Sequence, residues 1–166
     1  VLNDGRGGVG GAGIQTAALC FAGNLSNPSP LTNKTESYNG STWTEVNTLA
    51  SPRYEVGGCG ATNTAALCFG GNAPAAIAIT EEWNGTGWSE VGDMDNGRSY
   101  LGSAGTSTAA LAIAGLISSP SLLVEEWNGV GWTEVGALNT TRFGPGATGT
   151  TTSAIASGGA PNPSSN

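Results

Sequence analysis

The chain holds 166 residues, enough for one domain that buries about 70% of its unfolded surface without metal or disulfide support. Its 28 glycines and 8 prolines accompany a charged fraction of only 10%, which is the balance of short strands joined by many turns and leaves little room for helices. The net charge is −7 and the five bases are scattered at Arg6, Lys34, Arg53, Arg98 and Arg142, so nucleic acid is excluded as an expected partner; no apolar run reaches the roughly 18 residues a membrane span needs.

From the N-terminus, Val1-Leu2-Asn3-Asp4-Gly5 has neither an initiator methionine nor a signal-peptide pattern and reads as the tail of a preceding unit, because Leu2 stands four residues before Arg6. Arg6 opens a glycine-rich stretch, followed by the apolar run Thr16-Ala17-Ala18-Leu19-Cys20-Phe21, a loop from Asn24 to Lys34, and Tyr38 and Trp43 around Asn39-Gly40. Leu49 then precedes Arg53 by the same four residues, and the series starts again. The second pass runs through Thr64-Ala65-Ala66-Leu67-Cys68-Phe69, a loop from Asn72 to Ile79, Trp83, Asn84-Gly85, Trp88 and Met94. The third starts at Arg98 and runs through Thr108-Ala109-Ala110-Leu111, a loop from Leu116 to Leu123, Trp127, Asn128-Gly129, Trp132 and Leu138. A fourth starts at Arg142 and carries the weaker run Thr152-Ser153-Ala154-Ile155-Ala156. The arginines are separated by 47, 45 and 44 residues, so the periodicity, and not the individual segments, defines the fold.

Each unit therefore predicts four short strands: the glycine-rich stretch, the Thr-Ala-Ala-Leu run, the Glu-Glu-Trp segment and the Trp-Thr-Glu-Val segment. Asn-Gly between apolar residues predicts a tight hairpin with both residues at positive φ. Trp132, Glu134 and Gly136 alternating with Thr133 and Val135 predict a half-buried outer strand, and the small apolar second run predicts one covered on both faces. The expected architecture is one all-β repeat domain over 1–166, with units at about 6–52, 53–97 and 98–141, a partial unit at 142–160 and a tail at 161–166.

An arginine, a small-residue strand end, two aromatics and Leu-x-x-x-Arg, in that order, resemble the kelch motif, whose units are four-stranded blades of a β-propeller. Double glycine is intact only at Gly70-Gly71 and Gly158-Gly159. The dialect Glu-Glu-Trp-Asn-Gly-x-x-Trp-x-Glu-Val is similar to that of kelch-like proteins in phage and environmental sequences, which implies an extracellular or virion-associated setting. About three and a half blades fall short of a closed ring. The resemblance thus implies a longer parent chain, two copies sharing a split blade to make seven, or a filament-like array.

Histidine is absent, which removes the commonest general base, the commonest metal ligand and every Ser-His-Asp arrangement. No catalytic residue, metal site or cofactor is expected, and a carbohydrate-active enzyme is a remote alternative. Arg6, Arg53, Arg98 and Arg142 read as structural donors between blades, to carbonyls or to the repeated acids Glu36, Glu81 and Glu125 or Glu45, Glu90 and Glu134. Trp43, Trp83, Trp88, Trp127 and Trp132 read as packing between blades. Cys20 and Cys68, at matching positions, read as buried small hydrophobes. Residues that break the repeat are the better candidates for partner binding, namely Asn24, Pro28, Pro30 and Lys34 in the first loop, Asn72 and Pro74 in the second, and Leu116 and Pro120 in the third. The expected role is a non-catalytic module that recognises protein or glycan through these loops, with self-association; the alternative is an architectural subunit that polymerises through open blade edges.

Overall fold

The computed structural model describes residues 2–25 and 30–161, and Pro28 lies outside them. Every regular element among the described residues is a strand. Blade 1 comprises β1 (Gly10–Ile14), β2 (Ala17–Phe21), β3 (Thr35–Tyr38) and β4 (Trp43–Val46). Blade 2 comprises β5 (Gly57–Thr62), β6 (Ala65–Phe69), β7 (Thr80–Trp83) and β8 (Trp88–Glu90). Blade 3 comprises β9 (Gly102–Gly105), β10 (Ala110–Ile113), β11 (Ser121–Trp127) and β12 (Trp132–Arg142). A half blade follows, β13 (Gly146–Thr150) and β14 (Ser153–Ser157). Within each sheet, neighbours in sequence are neighbours in space and all pairs are antiparallel. The first strands β1, β5, β9 and β13 pack side by side, so the sheets fan out from a common axis as an open, propeller-like array.

Glycine at the start of each first strand has a steric cause. Gly10 pairs directly with Phe21 and Gly57 with Phe69, and a Cβ at either glycine would collide with that ring. The absent side chain makes room for the phenylalanine, which turns toward the next blade. There it meets the second tryptophan of that blade: Trp88 stands edge-on to Phe21 at 4.9 Å between centroids, and Trp132 lies 4.8 Å from Phe69. Each of these indoles also donates its Nε1–H back into the preceding blade, Trp88 to Thr35 Oγ1 and Trp132 to Thr80 Oγ1, both at 2.9 Å. The first tryptophan has a separate task. Trp83 and Trp127 are buried and donate to the turn carbonyls of Asn63 and Ser107 at 2.9 and 3.0 Å. Trp43, which meets no preceding blade among the described residues, is half-exposed beside Tyr38.

The arginines join blades through both ends of the residue. The backbone carbonyls of Arg53, Arg98 and Arg142 accept from Gly23, Gly71 and Gly115 of the preceding blade. The side chains of Arg6, Arg53 and Arg98 reach into their own blade and form buried ion pairs with Glu36, Glu81 and Glu125. The second carboxylate oxygen of each glutamate accepts the N–H of the residue three before the arginine: Asn3, Ala50 and Asp95. Each buried acid is thus matched by a guanidinium and an amide, the condition under which a buried charge is tolerated. Glu90 and Glu134 are exposed, while Glu45 pairs with Lys34 at 3.1 Å. The arginines therefore take one set of repeated acids and leave the other to the surface.

Three expectations need correction. Each Asn-Gly loop spans four residues, since Tyr38 pairs with Trp43, and only the glycine has positive φ. The asparagine acts through its side chain, Asn39 Oδ1 accepting from Ser41 and Thr42 at 3.0 Å each. The alternation in β12 fails beyond Trp132, because this outermost strand leaves Thr133 to Ala137 exposed on both faces. The tight cover expected for every second strand holds for β2, β6 and β10 but not for β14, which is mostly exposed. A seven-bladed pair of copies also meets a topological obstacle. Two sets of the described strands give six whole blades and two identical first-and-second-strand hairpins, with no third and fourth strands to combine with them.

Candidate binding face

Each arginine is followed two residues later by a residue in the left-handed region: Gly8 at φ 62°, Glu55 at 57°, Tyr100 at 53° and Gly144 at 65°. Glycine adopts this freely; glutamate and tyrosine do so only at a cost of about 1 kcal/mol or more. The four turns form a hydrogen-bonded chain from blade to blade. Glu55 N–H donates to Gly8 O at 2.6 Å, Tyr100 N–H to Glu55 O at 3.0 Å, and Gly144 N–H to Tyr100 O at 2.8 Å. This chain lies at the entry to the innermost strands. The opposite ends of those strands border an open channel of about 330 Å³ lined by small residues such as Gly11, Gly60, Ser103 and Gly149.

The variable loops sit on the same face as the turns. Asn24 bridges to Gly7, Asn72 to Tyr54 and Leu116 to Ser99, each being the residue just after an arginine. Backbone pairing thus ties the root of every loop to a turn. Pro30 and Pro74 are exposed and Pro120 is half-buried. Lys34 is more engaged than its place in a loop suggests, with Nζ 2.6 Å from Asp4 and 3.1 Å from Glu45. The Asp4 hydrogen bond foremost raises the lysine pKa, and the same contact lowers that of Asp4. Lys34 is therefore a tie between the N-terminal segment and blade 1 rather than a free cation.

Between the loops, the turns of blades 2 and 3 and of the half blade gather Tyr54, Glu55, Tyr100 and Phe143. Tyr100 stands edge-on to Phe143 at 5.5 Å and is 38% exposed. Burial raises the pKa of Glu55, opposed in part by a hydrogen bond with the Tyr100 side chain. The carboxylate in turn pushes the Tyr100 phenol up to about 12. Two acceptors on this face, Glu55 Oε2 and Asn72 Oδ1, are buried and have no hydrogen-bond partner. The arrangement is an exposed aromatic edge beside a strained turn, suited to a ligand that offers a stackable apolar face.

The sequence singled out the loops and not these turns. Their signal was the position two after the arginine, glycine in the first and fourth units but Glu55 and Tyr100 in the second and third. The repeated arginines and tryptophans, Arg142 and Trp43 apart, lie in the interior or between blades. Among the described residues no three His, Cys, Asp or Glu side chains cluster to hold a metal ion, and no helix is long and apolar enough to cross a membrane. A scan against protein-family models finds no match to the chain, and a search of curated proteins finds none either.

Proposed function

We propose that the chain is a non-catalytic, kelch-like propeller module that binds a glycan on the face formed by its inter-strand loops, as part of an extracellular or virion appendage. The observation that carries this reading is the concentration of symmetry-breaking side chains on one face. Packing alone is served by identical blades, and it does not call for a glutamate and a tyrosine in strained turns where glycine serves twice. Tyr100, 38% exposed and edge-on to Phe143, provides an apolar surface of the kind that sugar ring C–H faces satisfy.

The test is a glycan-array screen with the purified chain, followed by titration of the strongest hit. Tyr100→Ala and Glu55→Gln are expected to weaken binding about tenfold or more while the melting temperature stays within a few degrees. A hit whose affinity both variants retain would remove the site from this face. The second reading, an architectural subunit that assembles through its open ends, is favoured by the half-exposed Trp43 and the mostly exposed β14. Electron microscopy separates the two, discrete particles supporting the binding module and extended polymers the architectural one.

A further inference from the structure

We propose that the free edge of β14 is a peptide-binding site, which takes up an extended acidic-aromatic segment from outside these residues as an antiparallel third strand anchored on Arg142. In the three whole blades the register of that strand never varies. Glutamate stands opposite Cys20, Cys68 or Ala112, and the aromatic stands opposite Ala18, Ala66 or Ala110. The corresponding positions of β14 are Ala156 and Ala154, and β14 pairs only with β13. A strand reading Thr-Glu-x-Trp would place its carboxylate opposite Ala156 and its ring opposite Ala154.

Three observations show that this place is prepared. Arg142 donates to the carbonyl of Gly158 at 2.8 Å, where Arg53 donates to the corresponding Gly70, but among the described residues its guanidinium meets no carboxylate and turns to Thr140 Oγ1. A cavity of about 340 Å³ opens beside it, lined by Thr140, Thr141, Arg142, Gly158, Gly159 and Pro161. Leu138, at the position where Leu49 is 1% and Met94 is 4% exposed, remains half-buried, for no first aromatic of a following blade covers it. Trp83 shares a core with Leu49, and Trp127 shares one with Met94. The incoming ring would do the same for Leu138. Third strands already in the chain are built into their own blades, so a second copy in its native fold has none to offer. Recognition is by strand addition, with backbone bonds giving affinity and the Arg142 carboxylate pair giving register.

The test uses the chain with a fluorescein-labelled peptide of the sequence Ala78–Gly85, followed by anisotropy and by amide NMR. Saturable binding is expected, with shifts centred on Thr150–Gly158. Glu81→Gln in the peptide, which leaves the protein untouched, should weaken binding about tenfold, in line with loss of one charge-assisted pair. Arg142→Ala should do the same, with partial retention in Arg142→Lys. Absence of saturation at millimolar peptide, equal affinity for the Glu81→Gln peptide, or shifts mapping away from β14 would each overturn the proposal. So would a dimer closed through β14 that the peptide fails to dissociate.

Discussion

The two interfaces between whole blades and the one between blade 3 and the half blade use the same backbone geometry with different side chains. The first two each hold a phenylalanine, two tryptophans from the following blade, and a buried Arg–Glu pair. The third holds Ala104, Leu111, Ile113 and Ala114, supported by Val124, Leu138, Ala147 and Ala156, with no aromatic ring in that core and, among the described residues, no acid for Arg142. The inner two strands of a blade thus suffice to set it in place. The outer two supply what locks it: the third strand brings the glutamate and the first tryptophan, and the fourth brings the second.

The largest expected difference lies in the ion pairs. Arg98→Ala leaves the Glu125 carboxylate buried without its counter-charge and should cost about 3–5 kcal/mol. Arg142→Ala removes an arginine bonded only to a carbonyl and a hydroxyl and should cost about 1 kcal/mol or less. Urea denaturation of the two variants measures the gap, and equal losses would show that the buried pairs do not lock the blades. The tryptophans give the next effect. Trp132→Ala empties the space against Phe69 and strands the Thr80 hydroxyl, for about 3–5 kcal/mol, whereas Trp43→Ala truncates a half-exposed ring and should cost about a third of that. Hydrogen exchange sharpens the same contrast without mutation. Amides of β6 and β10 should exchange near the global unfolding limit, and those of β13 and β14 much sooner.

How far the sequence could foretell this follows from what repetition encodes. Spacing recurring from Arg6 to Arg142 specifies the blade, its four strands and the residues that pack between neighbours, because every interface must solve one packing problem. It specified the arginine and acid as partners without choosing between two acid positions. That choice depends on strand position: Glu36 and Glu45, Glu81 and Glu90, and Glu125 and Glu134 are direct cross-strand partners and share a face, but the first of each pair is buried on the third strand and the second lies exposed on the outermost one. The candidate face was legible only through exceptions. A glutamate at position 55 and a tyrosine at position 100 look like surface drift until their positive φ is known, since φ is invisible in a residue name. Lys34 misled for the opposite reason, a loop cation whose partners, Asp4 and Glu45, come from elements distant in sequence.

The smallest effect is a pH dependence at the turn of blade 2, where the blade-locking pairs play no part. Burial raises the Glu55 pKa in the fold, so between its unfolded and folded values the native state binds more protons than the unfolded one. Stability contributed by protonated Glu55 is present below the unfolded value and is lost as pH rises through the folded value. Glu55→Gln is held in the neutral form and should flatten that decline over the pH range above the ordinary glutamate value of about 4.5. Melting curves of both proteins across that range read the difference directly. If the decline persists in Glu55→Gln, its source lies elsewhere than the buried carboxyl of this turn.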